Sequence, residues 1–116
     1  MNKEIMKKRT KEFAISCAKL VSELDKNDIN RNYSNQLIRS SGSVAANYRA
    51  VSRAKSAADF INKLKIVEEE QDESLLWLEL LAEFNKEKRD AFVVLYKEGE
   101  ALLKIFVASI KTCRNK

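Results

Sequence analysis

Apolar residues recur at alternating intervals of four and three along four separate segments of this chain. In the first segment the repeat is formed by Phe13, Cys17, Leu20 and Leu24. Such spacing places the apolar side chains on one side of an α-helix, and that side must pack against another element. Proline is absent and there are only two glycines, so we expect long helices joined by short connections.

The four repeats predict helices at about residues 8–25, 33–54, 57–84 and 89–113. Ser56 followed by Asp59 has the form of a capping pair at the start of the third helix. The predicted fold class is all-α, an antiparallel up-down-up-down four-helix bundle. A chain of 116 residues fits one domain, 1–116, with a single core. Coiled-coil rods are the alternative, and the glycine and polar residues within the stripes favour the compact bundle.

The residue inventory argues against catalysis. Histidine is absent, which removes the commonest general base and a frequent zinc ligand. Cys17 and Cys113 lie far apart, have no metal-binding spacing and fall on apolar stripes, so we expect two buried free thiols. We therefore predict that the chain is not an enzyme and has no catalytic residue, metal site or cofactor.

Neither a membrane span nor a secretory signal is expected. No segment has the roughly 18 apolar residues that a membrane-spanning helix needs. The lysine-rich first residues contain no apolar stretch of the length found in secretory signals. We expect a cytoplasmic location and no membrane partner.

The last third of helix 3, residues 75–84, is apolar around most of its circumference. A single bundle core buries one stripe of a helix and not its whole circumference. Either this end lies deep in the core, or its second face packs against another subunit. Because the opposite end of the helix is highly charged, we favour the second interpretation, with Trp77, Leu80 and Phe84 at a homo-oligomer interface.

Small residues fill the segment 39–50 of helix 2. A helix face of serine, glycine and alanine lets a second helix approach closely. Gly42 costs about 1 kcal/mol of helix propensity relative to alanine, and we expect close helix packing at Gly42, and likewise at Gly99, as compensation. Asn47 is either a buried polar group that fixes the helix register or a surface residue. Gly42 and Asn47 are both assigned to the predicted interface.

Charge is segregated along the chain, whose formal net charge is +5. Residues 31–66 contain seven basic side chains against Asp59 alone, whereas residues 67–83 contain seven acidic side chains and no basic one. Such segregation either steers an anionic partner or pairs one helix with its neighbour.

Four cations are candidates for contact with nucleic-acid phosphates: Arg39, Arg49, Arg53 and Lys55. Guanidinium groups match phosphate oxygens, and Arg49 and Arg53 share a helix face. The alternative is that these cations are solvated or pair with acidic residues of helix 3. If helix 2 folds back on helix 3, Arg39 is expected near one of three carboxylates: Glu69, Asp72 or Glu73.

Basic residues also cluster near both chain ends: Lys3, Lys7, Lys8, Arg9, Lys11, Lys111, Arg114 and Lys116. In an antiparallel bundle the start of helix 1 and the end of helix 4 lie at the same end, which would concentrate positive charge there. A purely solubilising role is the alternative. Any nucleic acid bound by such groups would be held through its backbone, with steep dependence on salt.

Three segments together resemble a known family: QLIRSSGSVAANYRA at 36–50, DFINKLKI at 59–66 and WLELL at 77–81. They resemble the four-helix-bundle family of 23S ribosomal RNA intervening-sequence proteins. The accessory variability protein of diversity-generating retroelements looks like a relative. The resemblance covers residues 13–112, with modest departures at Val44 and Ala45 and at 69–71.

The resemblance implies a bacterial cytoplasmic protein that forms a ring of five bundles, with no catalytic residues. The retroelement relatives use a basic surface to engage nucleic acid and a reverse transcriptase, so RNA or DNA and such an enzyme are the partners it implies. We accordingly predict a non-enzymatic homopentamer that binds nucleic acid non-specifically. The alternative function is a structural or protein-binding adaptor whose charges serve only its own assembly.

Overall fold

Three of the four helices begin where a side chain caps one of their first backbone N–H groups. The computed structural model describes residues 2–115, which form four α-helices and no strand: α1 (Lys3–Ser22), α2 (Asp28–Val51), α3 (Ala57–Phe84) and α4 (Arg89–Arg114). Asn2, Asn27 and Ser56 each accept a hydrogen bond from the N–H group three residues later, as N-cap residues do. A short 3-10 turn, Lys86–Lys88, precedes α4. The predicted all-α class with four helices is confirmed.

Two helix starts differ from the sequence prediction. Helices α1 and α2 each begin five residues earlier than expected, and each ends three residues earlier, whereas α3 has the expected bounds. The first turn of α2 is polar and largely exposed, with Asn30 as its buried residue. The first turn of α1 adds one buried apolar residue, Met6, which the polar Thr10 separates from the rest of the apolar stripe. The caps Asn2 and Asn27 mark both starts.

Each helix packs against two others. Helices α1 and α3 both contact α2 and α4, and the contact between α1 and α4 is the thinnest. The bundle measures 47 × 20 × 19 Å, which is close to the length of its longest helix and fits compact packing better than a rod. The rings of Tyr48 and Phe106 meet edge to face in the core, with centroids 6.0 Å apart. Within residues 2–115, no helix combines the length and the apolar character needed to cross a membrane.

The two glycines have opposite surroundings. A Cβ atom on Gly99 would lie 2.8 Å from Leu75 Cδ2 and 2.9 Å from Phe13 Cζ, so α4 approaches its neighbours closely there. Gly42 is exposed, and a Cβ atom on it would meet nothing within 4 Å. Within the chain, the expected close packing is confirmed at Gly99 and wrong at Gly42.

Polar side chains interrupt the apolar core near the middle of the bundle. Ser40 Oγ lies 2.7 Å from Ser74 Oγ across the α2–α3 contact. Gln71 Nε2 donates a 3.0 Å hydrogen bond to the carbonyl oxygen of Gly99. All four residues are buried. These bonds account for polar residues at positions of the stripes that otherwise carry apolar side chains.

One end of the bundle is joined by a pair of buried asparagines. Asn85 Nδ2 donates to Asn30 Oδ1 at 2.8 Å, and Asn30 Nδ2 donates to Asn85 Oδ1 at 3.1 Å. The same two amide groups also donate to the carbonyl oxygens of Leu81 and Asp25. The pair thereby ties the α1–α2 connection to the end of α3.

The two thiols are free but differ in exposure. Cys17 is buried, and burial raises its pKa to about 12 against the opposing effect of a hydrogen bond with Ser41. Cys113 is only half-buried near the end of α4. The prediction of a buried thiol is confirmed for Cys17 and wrong for Cys113, since the last turn of α4 has fewer neighbours to cover it.

Candidate nucleic-acid interface

Five basic side chains of α1 and α2 surround one surface depression of about 450 Å³. They are Lys7, Lys8, Lys11, Arg49 and Arg53, and Glu4 is the acidic residue of the lining. We refer to this feature as the basic cleft. It unites two of the predicted phosphate-binding residues, Arg49 and Arg53, with three lysines from the other helix.

The helical repeat explains why these cations meet. Lys7 and Lys11 are one turn apart on α1 and share a helix face. Arg49 is in the last turn of α2, and Arg53 is in the turn that follows its end at Val51, with its N–H bonded to the carbonyl oxygen of Ala50. Tyr48 on α2 is fully buried, so the next residue, Arg49, lies at the edge of the contact between α1 and α2. The two pairs therefore line opposite sides of the α1–α2 contact.

The basic cleft keeps an excess of positive charge. Lys7 Nζ pairs with Glu4 at 2.9 Å and Lys8 Nζ with Glu12 at 3.9 Å. Among the ion pairs of residues 2–115, none involves Lys11, Arg49 or Arg53. A polyanion that enters the cleft would neutralise these cations without displacing a carboxylate.

Arg39 lies apart from the cleft, at the α2–α3 contact. Its guanidinium pairs with Glu70 at 3.3 Å and with Glu73. Desolvation lowers the pKa of Arg39, but the hydrogen bond that it donates to Glu73 and the charges of Glu70 and Glu73 outweigh this effect and hold that pKa above its usual value. Glu73 was among the expected neighbours and Glu70 was not. The pairing interpretation therefore describes Arg39 better than contact with phosphate.

Lys55 lies in the connection between α2 and α3 and does not line the cleft. Its backbone N–H donates to Asp59 Oδ2 at 3.0 Å. The hydrogen bond from Lys63 to the same carboxylate, followed by that from Lys55, lowers the pKa of Asp59. Lys55 therefore follows Arg53 closely in the sequence but is not part of the basic cleft.

Positive charge is concentrated in the half of the bundle that contains the cleft. We refer to residues 2–12, 42–70 and 101–115 as the basic half, and to residues 13–41 and 71–100 as the acidic half. The basic half has 13 Lys and Arg side chains against six Asp and Glu, whereas the acidic half has eight against eleven. The two groups of segments therefore differ in the sign of their net charge.

Both described termini belong to the basic half. Lys3 and Thr112 line one groove, so the start of α1 and the end of α4 lie side by side. Arg9 is already engaged, with its guanidinium 2.8 Å from Glu98. Lys116, the last of the basic residues expected at this end, lies outside the described residues.

The predicted interface residues of α3 belong to a partly exposed apolar surface, the aromatic patch: Ile29, Tyr33, Leu76, Trp77, Leu80 and Phe84. Trp77 stacks on Tyr33 with ring centroids 5.8 Å apart. Trp77 and Leu80 are half-buried, and Phe84 remains 53% exposed. The opposite side of α3 is fully buried in the core at Leu78 and Leu81. The chain by itself thus does not cover the second face of this helix.

Gly42 and Asn47 are not part of the aromatic patch. Asn47 is half-buried, and its Nδ2 donates to the carbonyl oxygen and to Oγ of Ser43 in its own helix, both at 2.9 Å. The interpretation of Asn47 as a buried group that fixes helix register is therefore wrong within the chain. The assignment of Gly42 and Asn47 to an oligomer interface stays a prediction.

The lysines of the cleft were the functional candidates that sequence reasoning did not place. It grouped Lys7, Lys8 and Lys11 with the chain ends and treated Arg49 and Arg53 separately. The fold-back argument that we used for helices 2 and 3 would have found these lysines if it had also been applied to helices 1 and 2. If α2 folds back on α1, a residue near 8 lies opposite one near 49.

Similarity to known proteins spans nearly all of this bundle. A family model described as 23S rRNA-intervening sequence protein matches residues 2–108. A solved structure, described as a protein of unknown function from the S23 ribosomal protein family of Bacteroides thetaiotaomicron, is similar with a TM-score of 0.81 and 32% sequence identity, over 96% of this chain and 99% of that chain. No curated protein matches the chain. The chain therefore belongs to the family of 23S rRNA-intervening sequence proteins.

Proposed function

We propose that this chain is a non-enzymatic cytoplasmic protein that assembles into a homo-oligomeric ring, a pentamer, and binds nucleic acid non-specifically through its basic surfaces. The observation that carries the nucleic-acid role is the basic cleft, where Lys11, Arg49 and Arg53 have no carboxylate partner among residues 2–115. Arginine and lysine groups of this kind bind phosphate oxygens through charge-assisted hydrogen bonds.

The bound feature would be the phosphate backbone and not the base sequence. Backbone contacts position a nucleic acid, whereas sequence is recognised by polar contacts to base edges. The cleft offers cations on the sides of two helices and no aromatic side chain on which a base could stack. We therefore expect RNA and DNA both to bind, with no preference for one sequence.

An antiparallel order of the helices is part of this proposal. Three contacts support it, because each joins the beginning of one helix to the end of a neighbouring helix: Asn30 to Asn85, Cys113 to Ala57, and Lys88 to Glu23. This order brings both chain ends into the basic half. The exposed second face of α3 supports the oligomeric ring.

The nucleic-acid role is tested by reversing the two arginines of the cleft. For Arg49→Glu with Arg53→Glu, we expect affinity for a short RNA or DNA duplex to fall at least about tenfold. The slope of log affinity against log salt should fall by about 2, because two phosphate contacts are lost. Fluorescence anisotropy across a salt series measures both quantities.

The matched control changes the same amount of charge elsewhere. Lys97→Glu with Lys104→Glu alters two exposed lysines of α4 and should leave most of the affinity intact. An equal loss of affinity in both double variants would mean that net charge, and not the basic cleft, determines binding. If the unmodified chain shows no salt-sensitive binding at low salt, the adaptor function replaces the nucleic-acid role.

Self-association is tested at the aromatic patch. Leu80→Asp is expected to lower the mass in solution to that of a single chain while helicity is retained, because it introduces a charge into a surface that the oligomer would cover. Light scattering gives the mass and circular dichroism the helix content. Ile66→Asp, at a 46% exposed position of the same helix, is the control and should keep the unmodified mass. An unmodified chain that is monomeric would contradict the ring.

A further inference from the structure

A second apolar surface lies on the side of the bundle opposite the aromatic patch. It is a groove of about 740 Å³ at the end of the bundle where α1 begins and α4 ends. Its apolar lining includes Ile5, Met6, Phe60, Ile105 and Ala108. We call it the basal groove. Ile5 is 56% exposed, so the groove presents uncovered apolar area as the aromatic patch does.

The two surfaces are formed by different pairs of helices. The aromatic patch belongs to α2 and α3, whereas the basal groove opens mainly between α1 and α4, the helices with the thinnest contact. Since α1 packs on α2 and α3 on α4, these two pairs form opposite sides of the bundle. A single copy cannot bring its own patch to its own groove.

Another groove along α1 and α4, about 580 Å³ in volume, lies over Phe13 and Leu20 in the acidic half. Its charged lining is mostly acidic, with Glu12, Glu23 and Glu98 against Lys19. The outward face of α3 beside the aromatic patch is acidic too: the exposed Asp72 and Glu79 each lie one turn from Leu76 and have no ion pair among residues 2–115. Glu73 and Glu83 border the patch as well, but they pair with Arg39 and Lys86. Like charges would oppose a contact between this groove and the patch.

Charge instead favours the basal groove. It lies in the basic half, and its charged lining residue is a cation, Lys3, whose Nζ lies 6.0 Å from the centre of the Phe60 ring. An acidic-bordered apolar patch and a basic-bordered apolar groove are complementary in both hydrophobicity and charge. This complementarity identifies the occupant of the groove as a surface of the same chain.

We propose that the basal groove receives the aromatic patch of a second copy of this chain. The contact joins two different surfaces, so each copy uses its patch on one neighbour and its groove on the other. Contacts of this kind close into a ring when the rotation between copies allows it. The proposal rests on the self-association proposed above and specifies the two surfaces that produce it.

Two variants that each block one surface test the proposal. Ile5→Glu blocks the groove with a charge that repels the acidic patch border, and Leu76→Asp blocks the patch at a position that is 47% exposed. Alone, each should have the mass of one chain, 13.3 kDa. Mixed in equal amounts, they should form particles of twice that mass, because the patch of the groove variant still fits the groove of the patch variant. Light scattering or analytical ultracentrifugation measures these masses.

Control variants separate surface effects from misfolding. Ile15→Glu changes an exposed isoleucine on the outer face of α1, outside the groove, and should keep the unmodified mass. Ala108→Glu, at another exposed position of the groove, should reproduce the effect of Ile5→Glu if the latter proves to lose helicity. Circular dichroism establishes that each variant is folded.

The contrary outcomes are distinct. If the unmodified chain is an oligomer and the groove variants keep its mass, the groove is not the acceptor and the proposal is wrong, while the ring of the preceding section survives. If the mixture stays monomeric, the patch pairs with a surface other than the groove, which overturns the proposal as well. If the unmodified chain is monomeric, the proposed self-association and this inference fail together.

Discussion

Replacing Gly99 with alanine is expected to lower the free energy of unfolding by about 1–3 kcal/mol, the usual cost of overpacking a core. The added Cβ would lie 2.8 Å from Leu75 Cδ2 and 2.9 Å from Phe13 Cζ. Leu75 and Phe13 are both buried, with 5% and 2% of their surface exposed, so neither side chain has much room to move. Any displacement of α4 would also strain the hydrogen bond from Gln71 to the Gly99 carbonyl oxygen.

Gly42→Ala is the matched control, because the same methyl group is added to the middle of a helix. Here a Cβ atom meets nothing within 4 Å, so the gain in helix propensity should raise stability by up to about 1 kcal/mol. Urea denaturation of both variants at one protein concentration gives the two changes. Equal signs for the two substitutions would contradict the close approach at Gly99. A loss of oligomer mass in Gly42→Ala would support the predicted role of Gly42 at an interface.

Asn85→Ala is expected to lower the free energy of unfolding by about 1–3 kcal/mol as well, by a different cause. The substitution removes the partner of both polar atoms that Asn30 presents to it. Asn30 is only 4% exposed, so water cannot readily replace the lost bonds. Its Nδ2 still donates to the carbonyl oxygen of Asp25, but its Oδ1 is left without the donor that Asn85 supplied. The α1–α2 connection would also lose its link to the end of α3.

A double-mutant cycle isolates this pair. The double variant Asn30→Ala with Asn85→Ala should lose less unfolding free energy than the two single variants lose together, because the double variant leaves no buried partner unpaired. Asn62→Ala, an exposed asparagine of α3, should change stability by less than about 0.5 kcal/mol. Additive losses for Asn30 and Asn85 would mean that the two side chains act independently.

The sequence predicted the helices well where burial produces a repeat. Helix α3 has its expected bounds because Ser56 marks its start and a four-three stripe follows along its length, with the polar Gln71 and Ser74 at its centre. The starts of α1 and α2 were missed because their first turns are mostly exposed, and the one buried residue of each, Met6 and Asn30, was not assigned to a stripe. The asparagine pair was missed for a related reason, since the predicted helix bounds left both Asn30 and Asn85 in the connections between helices.

The candidate site was predicted in part. The sequence indicated Arg49 and Arg53 through their one-turn spacing, but the lysines beside them come from another helix. Spacing along one helix describes a face and does not say which neighbour lies against it. The fold-back of α2 on α3 predicted the partners of Arg39 to within one turn of α3. Glu73 was among the expected carboxylates, and the second partner, Glu70, is adjacent to Glu73 on the helix surface.

The unequal exposure of the two cysteines has a practical consequence. With a pKa of about 12 and full burial, Cys17 presents almost no thiolate at neutral pH. A maleimide dye would therefore attach at Cys113, which is half-buried and lines the basal groove. The natural sequence thus already contains an attachment point for a fluorescent reporter on that surface, without any engineered residue.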